Sequence, residues 1–361
     1  FSLPEGGGKR HGVTMVTCRK ISSFLRDFGT GRMYTTMMSY MPFGKKRSAV
    51  LLFACFLGAT GGFAHAAESS AAQFLSLGFG ARALGMGETF VAVADDVSAV
   101  YYNPAGLAGR SAPGKKDKDA ELLISHSWHI QSMGLTQLAY ARSPIGFSLT
   151  YFSAGEMEGR DDDGNPASEF TAEDFAFSGG YAVKRGGLSA GAALKTIRQR
   201  IKSSAASAVC ADAGLLYAFS GSPVTLGLSV SNIGTEVKFE EESFPLPLLY
   251  RAGISARTGR SFPAVFALET DFPNDAPAVF RAGMEYTGFE LISLRAGYKT
   301  SPPSQRRAIT GQGFGGSSGL GELYGFFMGL GFTLSPVAVE YALLPYGELG
   351  NSHRFSLSMK F

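Results

Sequence analysis

From residue 120 to the C-terminus, apolar side chains alternate with small or polar side chains in runs of about 9 to 13 residues, the pattern of strands with one apolar face. Each run ends in a stretch of turn-forming residues such as Ser143-Pro144 or Ser220-Gly221-Ser222. We predict about 14 strands, over residues 120–130, 133–143, 145–155, 168–184, 186–201, 204–219, 222–233, 246–258, 261–272, 276–287, 289–300, 320–334, 336–344 and 351–361.

The connections between these predicted strands differ in length in a regular way. Those after even-numbered strands are all short, and those after odd-numbered strands include every long one, at 156–167, 234–245, 301–319 and 345–350. Short turns on one side and long loops on the other are typical of bacterial outer-membrane barrels. The fold class that we predict is therefore all-β, a closed transmembrane antiparallel barrel whose first and last strands begin and end on the short-turn side.

The second face of the predicted strands is rich in Gly and Ala, as expected where the inside of a barrel is crowded. In a soluble sandwich the apolar face would instead be the core. However, one soluble core rarely covers so many consecutive strands without a helix, and closure removes the exposed sheet edges. We therefore predict that the apolar face contacts lipid and that the polar face is inside.

The last strand ends the chain on an aromatic residue. Apolar side chains occupy every second position back from it, in a pattern that resembles the signal read by the barrel-assembly machinery. The residues of this predicted signal are Phe355, Leu357, Met359 and Phe361.

The first 66 residues resemble an export signal and the sequence before it. A basic stretch over 44–47 precedes an apolar stretch over 48–63 and an Ala-His-Ala cleavage pattern. We predict an upstream or disordered segment over 1–43, a signal peptide over 44–66, an N-terminal hatch over 67–118 and the barrel over 119–361, with the protein located in the outer membrane. Without residues 1–66 the chain carries 24 basic and 28 acidic residues, so no nucleic-acid partner is expected.

Residues 71–110 do not alternate, are apolar and contain many glycines. Such a segment is unstable in water, and a barrel of about 14 strands has a lumen that it could fill.

The stretch GARALGMGETFVAVADDVSAVYYNPAGLA resembles the N-terminal signature of the PorV/PorQ group, which is similar to FadL-type outer-membrane transporters of hydrophobic compounds. The C-terminal YALLPYGELGNSHRFSLSMKF resembles PorV endings. This resemblance implies a hatch whose turn Asn103-Pro104-Ala105 plugs the barrel.

Two sets of residues are candidates for a functional site. Apolar side chains of the hatch are candidate ligand contacts, although they could equally be inert packing: Phe74, Leu77, Phe79, Leu84, Met86 and Phe90. Charged side chains on the polar faces of the last strands are expected in the lumen, where they form either a network that holds the hatch or a polar conduction path: Arg281, Glu285, Arg295, Lys299, Glu340, Arg354 and Lys360.

Other chemistry is not expected. His126 and His129 are three residues apart on a predicted strand and point to opposite faces, so they cannot share a metal ion. With Trp128 between them, we predict an aromatic belt at the membrane interface. Cys210 is the one cysteine after residue 66, which rules out an internal disulfide there. We predict no catalytic residues, no enzyme activity and no cofactor.

Two functions fit these features. The first is passive transport of hydrophobic small molecules such as fatty acids past the hatch. The second is a PorV-like role in secretion, in which the barrel binds cargo or secretion-system proteins. The expected partners are outer-membrane lipid, lipopolysaccharide and the barrel-assembly machinery, with a hydrophobic ligand or secretion proteins according to the function.

Overall fold

A computed structural model describes residues 70–109, 120–128, 133–160, 166–239, 241–300, 325–345 and 351–361. Within these residues fourteen antiparallel strands close into a barrel, in which β16 pairs with β1. The prediction of a closed antiparallel barrel of about 14 strands is confirmed.

The strands follow the alternating runs of the sequence closely. The first seven barrel strands are β1 (Glu121–Trp128), β2 (Gly134–Arg142), β3 (Ile145–Arg160), β4 (Pro166–Arg185), β5 (Leu188–Ile201), β6 (Ser204–Ala218) and β7 (Val224–Gly234). After a hairpin of β8 (Val237–Phe239) and β9 (Glu242–Phe244), the barrel continues with β10 (Leu249–Arg257), β11 (Ala264–Pro273), β12 (Val279–Tyr286), β13 (Ile292–Lys299), β14 (Phe326–Leu334), β15 (Val337–Pro345) and β16 (Asn351–Lys360).

Two of the predicted loops contain residues that form β-strands in the structure. The loop predicted over 156–167 is too long, because β3 continues to Arg160 and pairs there with Pro166 at the start of β4. The register shifts twice between Ser153 and Gly159, so the alternation that marks a strand is interrupted. The loop predicted over 234–245 contains β8 and β9, each too short to show a period in the sequence.

The two ends of the barrel differ, as the connection lengths predict. At the short-turn end lie the connections 143–144, 186–187 and 335–336, together with the C-terminus. There the backbone N–H of Phe361 donates to the carbonyl oxygen of Ala120 at 2.9 Å. The opposite end, here called the long-loop end, carries the β8–β9 hairpin.

The outward face of the barrel is apolar, with side chains such as Leu194 (68% exposed) and Leu268 (60%) open to the surroundings. The four residues of the predicted assembly signal, Phe355 to Phe361, also point outward. The inward face of the same strands is buried and carries Ser, Gly, Ala and charged side chains. No helix in the described ranges is long and apolar enough to cross a membrane.

Residues 70–109, here called the hatch, lie inside the barrel. They contain a 3₁₀ helix (Gln73–Ser76), helix α1 (Ala81–Gly85), helix α2 (Ala99–Tyr102) and a second 3₁₀ helix (Pro104–Ala108). The hatch begins at the long-loop end, where the hydroxyl of Ser70 donates to Asp275. It ends at Gly109, beside the side chain of Lys184 near the short-turn end. Sequence analysis did not predict that this segment runs through the whole height of the lumen.

The remaining predicted boundaries lie outside the described residues. This applies to the upstream segment over 1–43, the signal peptide over 44–66 and the end of the hatch at 118. They stay predictions.

Candidate functional site

The Asn103-Pro104-Ala105 turn is fully buried against the wall formed by β5, β6 and β7. The side-chain amide of Asn103 donates to the carbonyl oxygens of Val91 (2.8 Å), Leu215 (3.1 Å) and Leu228 (3.3 Å). Its side-chain oxygen accepts from the backbone N–H of Ala105 at 3.2 Å and caps the second 3₁₀ helix. One side chain therefore joins two parts of the hatch to two neighbouring barrel strands.

Glycines on the inward face allow the hatch to lie directly on the strands. A Cβ atom on Gly191 would be 2.4 Å from the carbonyl carbon of Pro104, and one on Gly214 would be 1.9 Å from the side-chain oxygen of Asn103. On the other side of the barrel, a Cβ on Gly297 would be 2.1 Å from the backbone nitrogen of Gly87. At these positions any larger residue would push the hatch away from the wall.

A chain of ion pairs joins the hatch to β12, β13 and β15. Arg82 in α1 contacts Asp95 (2.6 Å) and Asp96 (2.8 Å) in the hatch, and Glu285 on β12 (2.6 Å). Glu285 also contacts Arg295 on β13 at 2.8 Å, and Arg295 contacts Glu340 on β15 at 2.9 Å. These side chains are mostly buried, so removal of one partner would leave a buried charge unpaired.

Other predicted lumen charges also contact the hatch. Arg281 pairs with Glu88 of the hatch at 3.2 Å and with Asp271 of β11 at 2.8 Å. Arg354 donates to the carbonyl oxygens of Gly78 (3.1 Å) and Leu77 (3.3 Å). Lys299 lies opposite Arg281 in the register, whereas the side chain of Lys360 is 62% exposed at the rim.

The charge of Asp95 is stabilised by two cations. Burial by itself would raise the pKa of Asp95, but Arg82 and Arg257 more than compensate and hold the pKa well below its ordinary value of 3.8. Arg257 lies at 2.6 Å from the carboxylate and is about half exposed at the short-turn end. The two ion pairs of Asp95 are therefore present over the whole neutral range.

The apolar candidate residues of the hatch are packed rather than exposed to an open cavity. Phe79, Met86 and Phe90 belong to a central cluster with Tyr101 and Tyr102. Leu84 packs in a separate group with Phe327, Ala342 and Leu344, and the remaining two candidates, Phe74 and Leu77, lie nearer the long-loop end. Whether any of the six binds a ligand stays a prediction.

A second apolar group, here called the mouth cluster, lies at the long-loop end. Its large members are Phe74 and Leu75 from the hatch, Ile197 from β5, and Val237 and Leu246 from the β7–β10 connection. Cys210 is part of it and is buried. Directly below, Lys195 pairs with Asp212 at 2.9 Å and donates to Asn232 at 2.7 Å.

Several groups of this site were missed by sequence analysis. The lumen also contains Arg251 of β10 and, on β11, Glu269 and Asp271. The spacing of two between Glu269 and Asp271 was an available signal in the sequence. Nothing in the sequence pairs Arg82 with Glu285, because 203 positions separate them.

The structure describes only some of the residues of the predicted aromatic belt. The rings of His126 and Trp128 lie edge to face on the outward side with centroids 4.7 Å apart, while His129 is outside the described residues. Among the described residues, no three His, Cys, Asp or Glu side chains form a group that could hold a metal ion.

Comparisons give structural similarity only. No family model and no curated protein matches the sequence. Among solved structures, the Pseudomonas putida toluene transporter TodX is 12% identical with a TM-score of 0.49, over 78% of this chain and 96% of that chain. A Pseudomonas aeruginosa FadL homologue is 11% identical with a TM-score of 0.47, over 78% of this chain and 98% of that chain. The CymD monoaromatic hydrocarbon channel is 13% identical with a TM-score of 0.47, over 79% of this chain and 97% of that chain.

Proposed function

We propose that this chain is an outer-membrane channel for hydrophobic small molecules, with the hatch as its gate. The outward face of the barrel is apolar, which suits a lipid bilayer and would be unstable in water. The hatch occupies the lumen and is held to the wall by side-chain contacts, such as the ion pair of Arg82 with Glu285 and the hydrogen bond of Asn103 to Leu215.

The observation that carries this proposal is the mouth cluster. A water-filled pore has a polar lining, whereas here the inward face of β5 and β6 near the long-loop end bears Ile197 and Cys210. Hatch and hairpin residues such as Phe74 and Val237 cover that wall. If they move apart, they expose apolar surface on both sides, which suits an apolar ligand such as a fatty-acid chain.

The test is ligand binding and flux with protein reconstituted into proteoliposomes. We expect saturable binding and entry of oleate or toluene, and no comparable entry of sucrose. Replacing Ile197 and Val237 with Gln should weaken oleate binding, whereas Thr196→Ala, on the outward face of the same strand, should not. A folded barrel that shows no saturable binding of either apolar probe would contradict the proposal.

A PorV-like role in secretion is the second candidate. It is favoured by the close packing of the hatch, whose backbone lies on the strand backbone at Gly191, Gly227 and Gly297. A barrel with so tightly held a plug could act as an anchor for cargo or secretion proteins. Co-purification of such proteins with the barrel, without any binding of apolar probes, would support this role over transport.

A further inference from the structure

The barrel closes where β1 pairs with β16, and this junction is here called the seam. Strands that follow each other along the chain are joined by a connection, whose length and geometry restrict their register. The strands of the seam are the first and the last of the barrel, so no connection joins them. Their register therefore depends on contacts made after the chain has folded around on itself.

The side chains of the two seam strands select one register only weakly. Both inward faces carry serines: Ser125 and Ser127 on β1, and Ser352, Ser356 and Ser358 on β16. Both outward faces are mostly apolar, as in the pair Ile124 with Leu357. After a shift of two residues, serines would still face inward and apolar side chains outward. The ion pair of Lys360 with Glu121 is 4.0 Å long and Lys360 is largely exposed, so this pair contributes little.

Arg354 is the exception among the inward serines of β16, and it reaches the hatch. Its guanidinium donates to the carbonyl oxygen of Gly78 at 3.1 Å and to the side-chain oxygen of Gln137 on β2 at 2.9 Å. The side-chain amide of Gln137 donates to the same carbonyl oxygen at 2.7 Å, and its oxygen accepts from the N–H of Gly80 at 3.1 Å. One carbonyl group of the hatch is thus shared by side chains from both sides of the seam.

A second hatch contact lies beside the first. The hydroxyl of Ser356 on β16 accepts from the backbone N–H of Ala81 at 2.8 Å and donates to the hydroxyl of Ser125 on β1 at 2.9 Å. Here too the hatch, β16 and β1 are joined at one point. Residues 77–81 of the hatch, here called the clasp, therefore bind the first and the last strands of the barrel together from the inside.

The clasp distinguishes registers that the strands do not. A shift of β16 by two residues would place Ser352 or Ser356 at the position of Arg354, and a serine side chain is too short to make the same bonds to Gly78 and Gln137. The guanidinium of Arg354 would at the same time lose these partners in a buried environment, which is costly for a charged group.

We infer that the hatch has a second function, in which the clasp selects the register of β16 on β1 and holds the seam closed. Gln137 and Arg354 act as positioning residues, one on each side of the seam. This function does not depend on what passes through the barrel.

The test reads the register of the seam by disulfide formation in the full-length protein, with its own cysteines replaced by alanine. Ile124→Cys with Leu357→Cys places two cysteines directly opposite each other in the present register. Ile124→Cys with Phe355→Cys, or with Met359→Cys, brings two cysteines opposite each other only after a shift of two residues. Directly opposite residues are close enough for a disulfide, and residues two positions further along are not.

Each cysteine pair is refolded into detergent under oxidising conditions, alone and together with a change in the clasp contacts. We expect that Arg354→Met lowers the ratio of present-register to shifted disulfide at least about tenfold, because the hydrogen bonds of a buried charged group are lost. Gln137→Met should lower the same ratio and leaves the charge of Arg354 in place.

The matched control is Arg281→Met. Arg281 is a buried arginine that also donates to a hatch carbonyl, that of Gly87 at 3.1 Å, but it lies on β12, away from the seam. Its replacement should leave the ratio of the two disulfides unchanged. An unchanged ratio in both Arg354→Met and Gln137→Met, or an equal decrease in Arg281→Met, would overturn the inference.

A second measurement applies if Arg354→Met closes poorly. Closed barrel is then measured by gel mobility without heating. The disulfide between Ile124→Cys and Leu357→Cys should restore closure, because it replaces the clasp at the seam. A disulfide between Leu268→Cys and Ala282→Cys, which are opposite each other on β11 and β12, should not. Equal restoration by the two disulfides, or by neither, would contradict a function at the seam.

Discussion

The hatch meets the two sides of the barrel in chemically different ways. Toward β5, β6 and β7 it lies on glycines, with the Asn103 side chain as the main polar link. Toward β10 to β15 it also lies on glycines, as at Gly297, but ion pairs hold it there as well, and Arg82 with Glu285 is their centre. The glycine contacts are sensitive to added volume and the ion pairs to lost charge, so a loss of charge should release only the second side.

The largest effect is expected on the glycine side. Gly191→Val would bring side-chain atoms against the backbone of Pro104 and Ala105, which cannot move without leaving the wall. The hatch should fail to dock, and limited proteolysis should cut between residues 70 and 109. Gly259→Ala, in a turn with open space around it, is the control and should leave the protein resistant. Resistance in both variants would show that the hatch packing is adaptable.

The second effect concerns the charged side. Glu285→Ala leaves Arg82 and Arg295 buried without their shared partner and should destabilise hatch docking by about 3 kcal/mol. Hydrogen exchange of the hatch amides measures this directly. Glu173→Gln removes the partner of Arg200 in an ion pair at the surface and should cause no measurable change. If both variants behave alike, the ion pairs do not hold the hatch.

A smaller effect tests the polar link on the glycine side. Asn103→Ala removes one donor from three carbonyl oxygens and should weaken hatch docking by about 1–3 kcal/mol. Asn103→Asp keeps the acceptor for the backbone N–H of Ala105 but not the donor. Its second carboxylate oxygen would face the three carbonyl oxygens, so in hydrogen exchange the Asp variant should be destabilised at least as much as the Ala variant. If it resembles the original protein, capping matters more than the link to the wall.

The smallest effect is on pH dependence. The pKa of Asp95 is lowered in the folded protein, so its stabilising contribution is complete above the ordinary value of 3.8 and is lost as the pH falls toward the folded pKa. The contribution of Asp95 to the proteolytic resistance of the hatch should thus be constant from about pH 8 to pH 5 and decrease only in stronger acid. Arg257→Gln should move this decrease to higher pH. A decrease of proteolytic resistance near neutral pH would show that a titratable group other than Asp95 causes it.

Much of the barrel could be predicted because each strand carries its own local signal. In β16, Phe355 and Leu357 point outward while Arg354 and Ser356 are buried, as their alternation predicts. The strand ends were less predictable where the alternation is interrupted, as in β3 beyond Ser153.

The candidate site was predictable in part. Lumen charges such as Glu285 and Arg295 follow from their positions on the polar strand faces. Their hatch partners do not, because α1 has five residues and shows no period that indicates which way Arg82 points. The packing of Phe79 and Phe90 in one cluster with two tyrosines is likewise a matter of long-range contacts.

By itself, the sequence determined the strands, their inward and outward faces and the unequal ends of the barrel, since a period of two and turn residues are local properties of the chain. Only the tertiary structure decided where the hatch lies and which charges hold it. These features depend on closure of the barrel, which brings residues of distant sequence position such as Arg82 and Glu285 into contact.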